Sequence, residues 1–192
     1  MELALYGCGG HAREVAAQIG EKVTFFVDDE YSNNIAKPLS SFDPEKYHMM
    51  IAVGDSKARF DIVQKLPKET VYFTFIHPTA LILDDNIEVG EGSFIGAYSI
   101  LTTNIKIGKH ALLNRGNQIG HDTVIGDYFS AMPGAIVSGN VTVYDCVYMG
   151  TNSSIREKIH VHSSSTIGMN SCVVKNIENP GTYVGVPTKK IK

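Results

Sequence analysis

The chain has no CxxC pair, no basic excess and no long apolar run, and each absence removes a class of function. Its three cysteines, Cys8, Cys146 and Cys172, are few, odd in number and far apart. That argues against a disulfide framework and leaves no zinc-knuckle spacing. Seventeen Lys and Arg stand against 20 Asp and Glu, for a formal charge of -3; a nucleic-acid binder that works by neutralising phosphates needs the opposite balance. No apolar stretch approaches the roughly 18 residues of a membrane span. The opening MELALYGCGGHARE lacks the cationic head and apolar run of a secretory leader. The expectation is a soluble protein of a reducing cytoplasm, with no nucleic-acid partner and no membrane span. What the 192 residues do contain is 43% hydrophobic and 19% charged, enough for a sizeable core and too apolar for disorder.

Two periods divide the chain into residues 1–78 and 79–192. In the first part, short apolar runs alternate with helical patterns. Leu3–Tyr6, Val23–Val27, Met49–Val53 and Val71–Ile76 read as strands. Ala12–Ile19 reads as a helix with Val15, Ala16 and Ile19 on one face, and Ser56–Leu66 as a second with Phe60, Val63 and the stem of Lys57 facing inward. Strands alternating with helices predict a small parallel sheet with crossovers.

A six-residue period then takes over. Every sixth residue from Leu83 through Ile95, Leu101, Ile107, Leu113, Ile119 and onward to Val173 is apolar, without insertion or deletion. Chance gives such a run with a probability on the order of 10⁻⁶ at ordinary apolar content. Helices repeat near 3.6 and strands at 2, so a hexad fits neither as a continuous element. It fits one short strand plus one turn, with one large side chain inward; three such units close a triangular coil of about 18 residues. Glycine follows the inward residue at Gly90, Gly96, Gly108, Gly120, Gly126, Gly150 and Gly168, where it is expected to turn the corner with positive φ. The first domain is expected to cover one end of the stack and residues 176–192 the other.

Seven histidines are present, and His121 stands apart by its position. It follows Gly120, which follows the inward Ile119, so it lies at a corner pointing away from the core. Asp122 is next, and Gly139 is one full coil further on. An imidazole can accept a proton from an attacking amine or hydroxyl, a carboxylate can fix its tautomer, and a glycine N–H can reach a thioester oxygen. At the other end of the chain, Gly7, Gly9 and Gly10 lie between a strand and a helix, where backbone amides hold phosphates. Asp28 and Asp29 end the second strand, where acidic side chains take ribose hydroxyls or a base N–H.

Together the hexapeptide repeat, Tyr6-Gly7-Cys8-Gly9-Gly10-His11, Phe26-Val27-Asp28-Asp29, Ala52-Val53-Gly54-Asp55 with Arg59, Asn117-Gln118-Ile119-Gly120-His121-Asp122 and Gly185-Val186-Pro187 resemble the bacterial nucleotide-sugar acetyltransferases. That group includes N-acetyltransferases of UDP-linked 4-amino-4,6-dideoxy sugars and relatives of the sialic acid O-acetyltransferases. The resemblance implies a small Rossmann-like α/β domain followed by a left-handed parallel β-helix, packed as a homotrimer with each active site between two chains. It implies acetyl transfer from acetyl-CoA to a 4-amino group. His121 would be the general base, Asp122 its acidic neighbour, Asn114 a further active-site residue and Gly139 the oxyanion donor. It implies nucleotide-sugar contacts at Gly9, Gly10, His11, Asp28, Asp29 and Gly54, and acetyl-CoA contacts at Ser130, Gly139, Thr151 and Met169. Ser130 stands where the family often carries a second histidine. The basic tail Lys189-Lys190-Ile191-Lys192 suits the CoA phosphates. No HxxxxH spacing of the γ-type carbonic anhydrases occurs, so no metal is expected. Sugar O-acetylation and non-catalytic binding of a sugar nucleotide are the alternative functions.

Overall fold

The apolar runs of the first part become the strands β1 (Glu2–Tyr6), β2 (Val23–Val27), β3 (Ala36–Pro38) and β4 (Tyr47–Ile51), with helices α1 (Gly10–Ile19) and α2 (Ser56–Lys65). The computed structural model describes residues 1–192. The sheet is parallel throughout, in the order β3-β2-β1-β4. Helix α1 forms because Ala12, Val15 and Ile19 recur at helical spacing and are buried together; Gly20 ends it with φ 71°. Helix α2 starts at Asp55, whose carboxylate accepts the Ala58 N–H at 2.7 Å.

The face of α2 that turns inward differs from expectation. It carries Ser56, Arg59 and Ile62, while Phe60 and Val63 are half-buried and Lys57 reaches solvent to pair with Asp61. The expected strand over 71–76 also divides. Tyr72 bridges to Met49, and Phe75–Ile76 already pairs with Phe94–Ile95 of the coiled part.

From Phe75 onward the chain forms a parallel β-helix of short strands in three sheets; the first two strands pair 19 residues on, Phe75 with Phe94 and Leu81 with Ile100, and from Glu88 to Val173 the spacing is 18, as in Lys106 with Val124, Leu112 with Ser130 and Gln118 with Ile136. From Ile95 to Val173 every sixth residue is buried, none more than 3% exposed. Two members of the predicted series depart. Val89, on the first strand of its sheet, is only half-buried, and Leu83 is 61% exposed because the first rung is one residue longer than the rest: Ile82 pairs with Leu101, and Leu83 falls one residue past the inward position.

The glycines also act differently from expectation. Positive φ occurs two residues later than they do, at Asp122, Asn152 and Asn170 among others, and at the matching corner positions Asn104 and Asn140, where short polar side chains tolerate the left-handed region. The glycines instead let successive coils touch. A Cβ on Gly90 would lie 2.5 Å from the backbone of Gly108, and one on Gly120 would lie 2.5 Å from the Gly139 nitrogen.

The N-terminal domain packs on a flank of the prism, not on its end. Phe94 points out of the sheet that contains Leu112–Leu113 and Ser130–Ala131, and is buried among Leu5, Val15, Ile19 and Met50. Arg59 fastens the two parts. It is 1% exposed and donates to the carbonyls of Val53 at 2.7 Å, His110 at 2.9 Å, and Tyr128 and Phe129 at 2.9 Å, and to Ser130 Oγ at 2.9 Å. Burial lowers its guanidinium to about 10, still protonated at neutral pH. At the far end Ile177 enters the core and Gly181–Val184 adds a strand, as expected of the tail. No helix is long and apolar enough to cross a membrane.

Replacing Arg59 with Met strands several buried carbonyls without a donor. The expected cost is about 3–5 kcal/mol, read as a lower midpoint in urea unfolding and as faster proteolysis between residues 66 and 75.

Candidate active site

The three edges of the prism have different chemistry, and the 18-residue register assigns each residue to one of them. The first edge turns from Leu113 to Gln118, the second from Ile119 to Val124, and the third from Ile125 to Ser130. The second edge lies opposite the sheet covered by the N-terminal domain.

His121, Asp122 and Gly139 meet on the second edge. The His121 side chain is 56% exposed, and its Nδ1 sits 2.8 Å from Asp122 Oδ2. The other carboxylate oxygen, Oδ1, accepts from Asn104 Nδ2 at 2.7 Å. Hydrogen bonds from Asn104 first and His121 second hold the Asp122 carboxyl below the usual carboxylate range. With Nδ1 donating to this carboxylate, Nε2 is left as the proton acceptor. The imidazole lies against Gly139: a Cβ there would fall 2.5 Å from Nε2. The Gly139 N–H donates to no acceptor in the protein. An imidazole nitrogen and a backbone N–H with no acceptor in the protein therefore meet at one edge, Gly139 itself being buried against the ring, a pairing suited to acyl transfer.

The other expected residues are elsewhere. Asn114 is on the first edge, 3% exposed, with Oδ1 accepting the Arg115 N–H at 2.7 Å. Thr151 and Met169 share that edge, Met169 being 70% exposed. One chain alone does not bring these three to His121. Ser130 requires a correction. It is fully buried under α2, where its hydroxyl donates to the Gly54 carbonyl at 2.8 Å and accepts from Arg59. It is a fastener between domains and is closed to a cofactor.

The N-terminal candidates gather at the carboxyl ends of the parallel strands, the usual ligand side of such sheets. Gly9, Gly10 and His11 follow β1, Asp28 and Asp29 follow β2, and Gly54 follows β4. His11 Nε2 is buried without a partner, and burial pulls its imidazole below the ordinary value against the raising influence of Glu14. An open cleft of about 460 Å³ runs beside Asp28 and Asp29, bounded by Ser40, Phe42, Lys65 and Pro67. Lys65 Nζ is 3.1 Å from Asp28, and Asp29 accepts the Ser40 N–H at 2.9 Å, which lowers its carboxyl. Ser40, Phe42 and Lys65 carried no signal in the sequence, because nothing in their spacing told that two loops and a helix end would converge. Glu14 pairs with Arg115, and Gln18 Oε1 accepts the Ala97 N–H at 2.9 Å, so α1 is held against the first edge.

With this geometry in view, the likenesses to known proteins are informative. Residues 2–66 match the family model described as the PglD N-terminal domain. The GDP-perosamine N-acetyltransferase of Escherichia coli O157:H7 is 23% identical over 173 residues, 81% of this chain and 78% of that protein. WeeI from Acinetobacter baumannii AYE superposes over 100% of both chains with a TM-score of 0.88 and 29% identity. The first third of the chain thus carries the PglD N-terminal pattern, and the whole chain is similar to sugar N-acetyltransferases of that type. The acetyltransferase domain of PglB from Neisseria gonorrhoeae FA1090, in complex with acetyl coenzyme A, covers 99% of this chain and matches 98% of that domain at 26% identity and a TM-score of 0.68. The protein is an acetyltransferase, built as an N-terminal parallel α/β sheet followed by a parallel β-helix of short strands.

Gly139→Ala pushes a methyl group into the imidazole while leaving the coil core untouched. Acetyl transfer is expected to drop about 100-fold with an unchanged melting temperature, checked by CoA thiol release and circular dichroism.

Proposed function

We propose that the protein acetylates the 4-amino group of a UDP-linked 4-amino-4,6-dideoxy sugar with acetyl-CoA. The observation that carries this reading is the His121–Asp122 pair on an open edge, with Nε2 lying against Gly139. The amine attacks the thioester carbonyl directly. His121 Nε2 removes its proton, Asp122 steadies the resulting imidazolium, and the Gly139 N–H takes the developing oxyanion. The N–C bond forms, the C–S bond breaks, and the proton passes from His121 to the departing CoA sulfur. The relatives support the two substrate classes: one is a GDP-perosamine N-acetyltransferase, and another is bound to acetyl coenzyme A.

Acetyl-CoA runs along the second edge in this reading. Beyond Gly139 the same corner position is occupied by Glu157 and then Lys175, two rungs on at about 4.8 Å each. Lys175, Lys189 and Pro187 border a cleft of about 260 Å³ there, suited to the CoA phosphates. The nucleotide sugar lies at the carboxyl ends of β1, β2 and β4, with its diphosphate on the amides of Gly9 and Gly10 and its nucleoside beside Asp28 and Asp29.

The base and the sugar site face opposite sides of one prism, so the working site is assembled from two chains. A threefold packing of prisms sets the second edge of one subunit beside the first edge and N-terminal domain of the next. Asn114, Thr151 and Met169 then enter the site from the neighbour. Two inactive variants test this. His121→Ala removes the base. Gly9→Glu puts a carboxylate in the phosphate cradle, where a Cβ meets nothing within 4 Å. Each alone is expected to lose CoA thiol release with the UDP-linked amino sugar. Refolded together, they are expected to regain a substantial fraction of activity, since mixed trimers contain sites with an intact base and an intact cradle. A mixture as inactive as its parts refutes the two-chain site.

A further inference from the structure

The left-handed corner position recurs on the second edge as Asn104, Asp122 and Asn140, each 18 residues after the last, with φ of 51°, 57° and 57°. Beside it runs a column of Thr103, His121 and Gly139. Asp122 is exposed, with 45% of its side chain accessible. An exposed Asp–His pair has little orienting power by itself, since water competes for both partners. The rung before His121 removes that freedom. Asn104 Nδ2 holds Oδ1 of Asp122 at 2.7 Å, which turns Oδ2 onto His121 Nδ1 at 2.8 Å. Asn104 is itself held: its backbone N–H donates to Asp84 Oδ2 at 3.1 Å, and the neighbouring Thr103 hydroxyl donates to the same oxygen. On the other side Asn140 Nδ2 stands 3.5 Å from His121 Nδ1, too long to displace the carboxylate.

We propose that Asn104 is a positioning residue for acetyl transfer: through Asp122 it sets the tautomer and orientation of His121. This rests on the reading of His121 as the general base. Asn104 touches neither substrate nor the imidazole. It keeps one carboxylate oxygen occupied so that the other is always presented to Nδ1, and Nε2 keeps its lone pair toward the thioester. The charged groups near the ring are Asp122 in contact, Asp84 and Asp85 two rungs before, and Arg156, Glu157 and Lys158 two rungs after.

Asn104→Gly tests the proposal without straining the corner, because glycine accepts the same positive φ. With acetyl-CoA and a UDP-linked 4-amino-4,6-dideoxy sugar, kcat is expected to fall about 10-fold, with KM for acetyl-CoA within about 2-fold of the parent. The acid limb of the kcat/KM profile is expected to move to lower pH, since a looser carboxylate stabilises the imidazolium less. Asn104→Asp adds a negative charge and is expected to move the same limb to higher pH. Loosening of structure alone does not move the limb in opposite directions. In an Asp122→Asn background, Asn104→Gly is expected to change kcat less than 2-fold. Wild-type kinetics in Asn104→Gly, or equal losses in both backgrounds, overturn the proposal while His121→Ala remains inactive. An active His121→Ala overturns the general-base reading itself, and this proposal falls with it.

Discussion

Everything in this molecule depends on an 18-residue rung kept without insertion from Ile95 to Val173. Each rung closes a triangle around one inward side chain per face, and each strand pairs only with the strands one rung away. The core is therefore a column of Ile, Leu, Val, Met and Ala that no single rung buries alone. One deleted residue would rotate everything after it off its edge. The chemistry inherits this rigidity: His121 and Gly139 come together because they occupy the same corner of consecutive rungs, and no loop closure or hinge is needed to bring them there.

The second constraint is the attachment of the N-terminal domain to a flank. Arg59 achieves it with no carboxylate in contact, using carbonyls from the end of β4 and from the third edge together with Ser130. A buried guanidinium offers five N–H donors in a fixed fork, so it sets orientation as well as proximity. Phe75 and Phe94, neighbours in one sheet of the prism, stack and pack together against the N-terminal cluster, and Glu14 with Gln18 ties α1 to the first edge. The carboxyl ends of the parallel strands are thereby directed toward one side of the prism, away from His121. In the proposed mechanism that arrangement leaves the site incomplete within a single chain.

The small side chains at the corners have a physical role that spacing alone only hinted at. Ser93, Ser99, Thr123, Ser153 and Ser171 are buried inside the turns, and several return a hydroxyl to a nearby carbonyl, as Ser99 does to Asn114 at 3.1 Å. Glycines one residue after the inward position give way to the backbone of the next rung, and the left-handed turn falls two residues later, most often to Asn. On the second edge that turn position has acquired a further use, as a ladder of amides and carboxylates behind the imidazole.

Local pattern determined what repeats. The hexad marks a coil because only one strand plus one turn fits six residues, and the alternation before it marks a parallel α/β sheet. From the same register, His121, Asp122 and Gly139 could be placed together on an outer corner. Tertiary structure decided whatever depends on which surface meets which. It turned Arg59 inward where the helical pattern favoured Phe60 and Val63, buried Ser130 beneath α2, put Ile82 instead of Leu83 in register with Leu101, and gathered Ser40, Phe42 and Lys65 around one cleft. A repeat is legible because every rung obeys the same local rule. A docking interface obeys none, since its partners lie 51 to 101 residues apart and are matched only by shape and hydrogen bonding once both parts have folded.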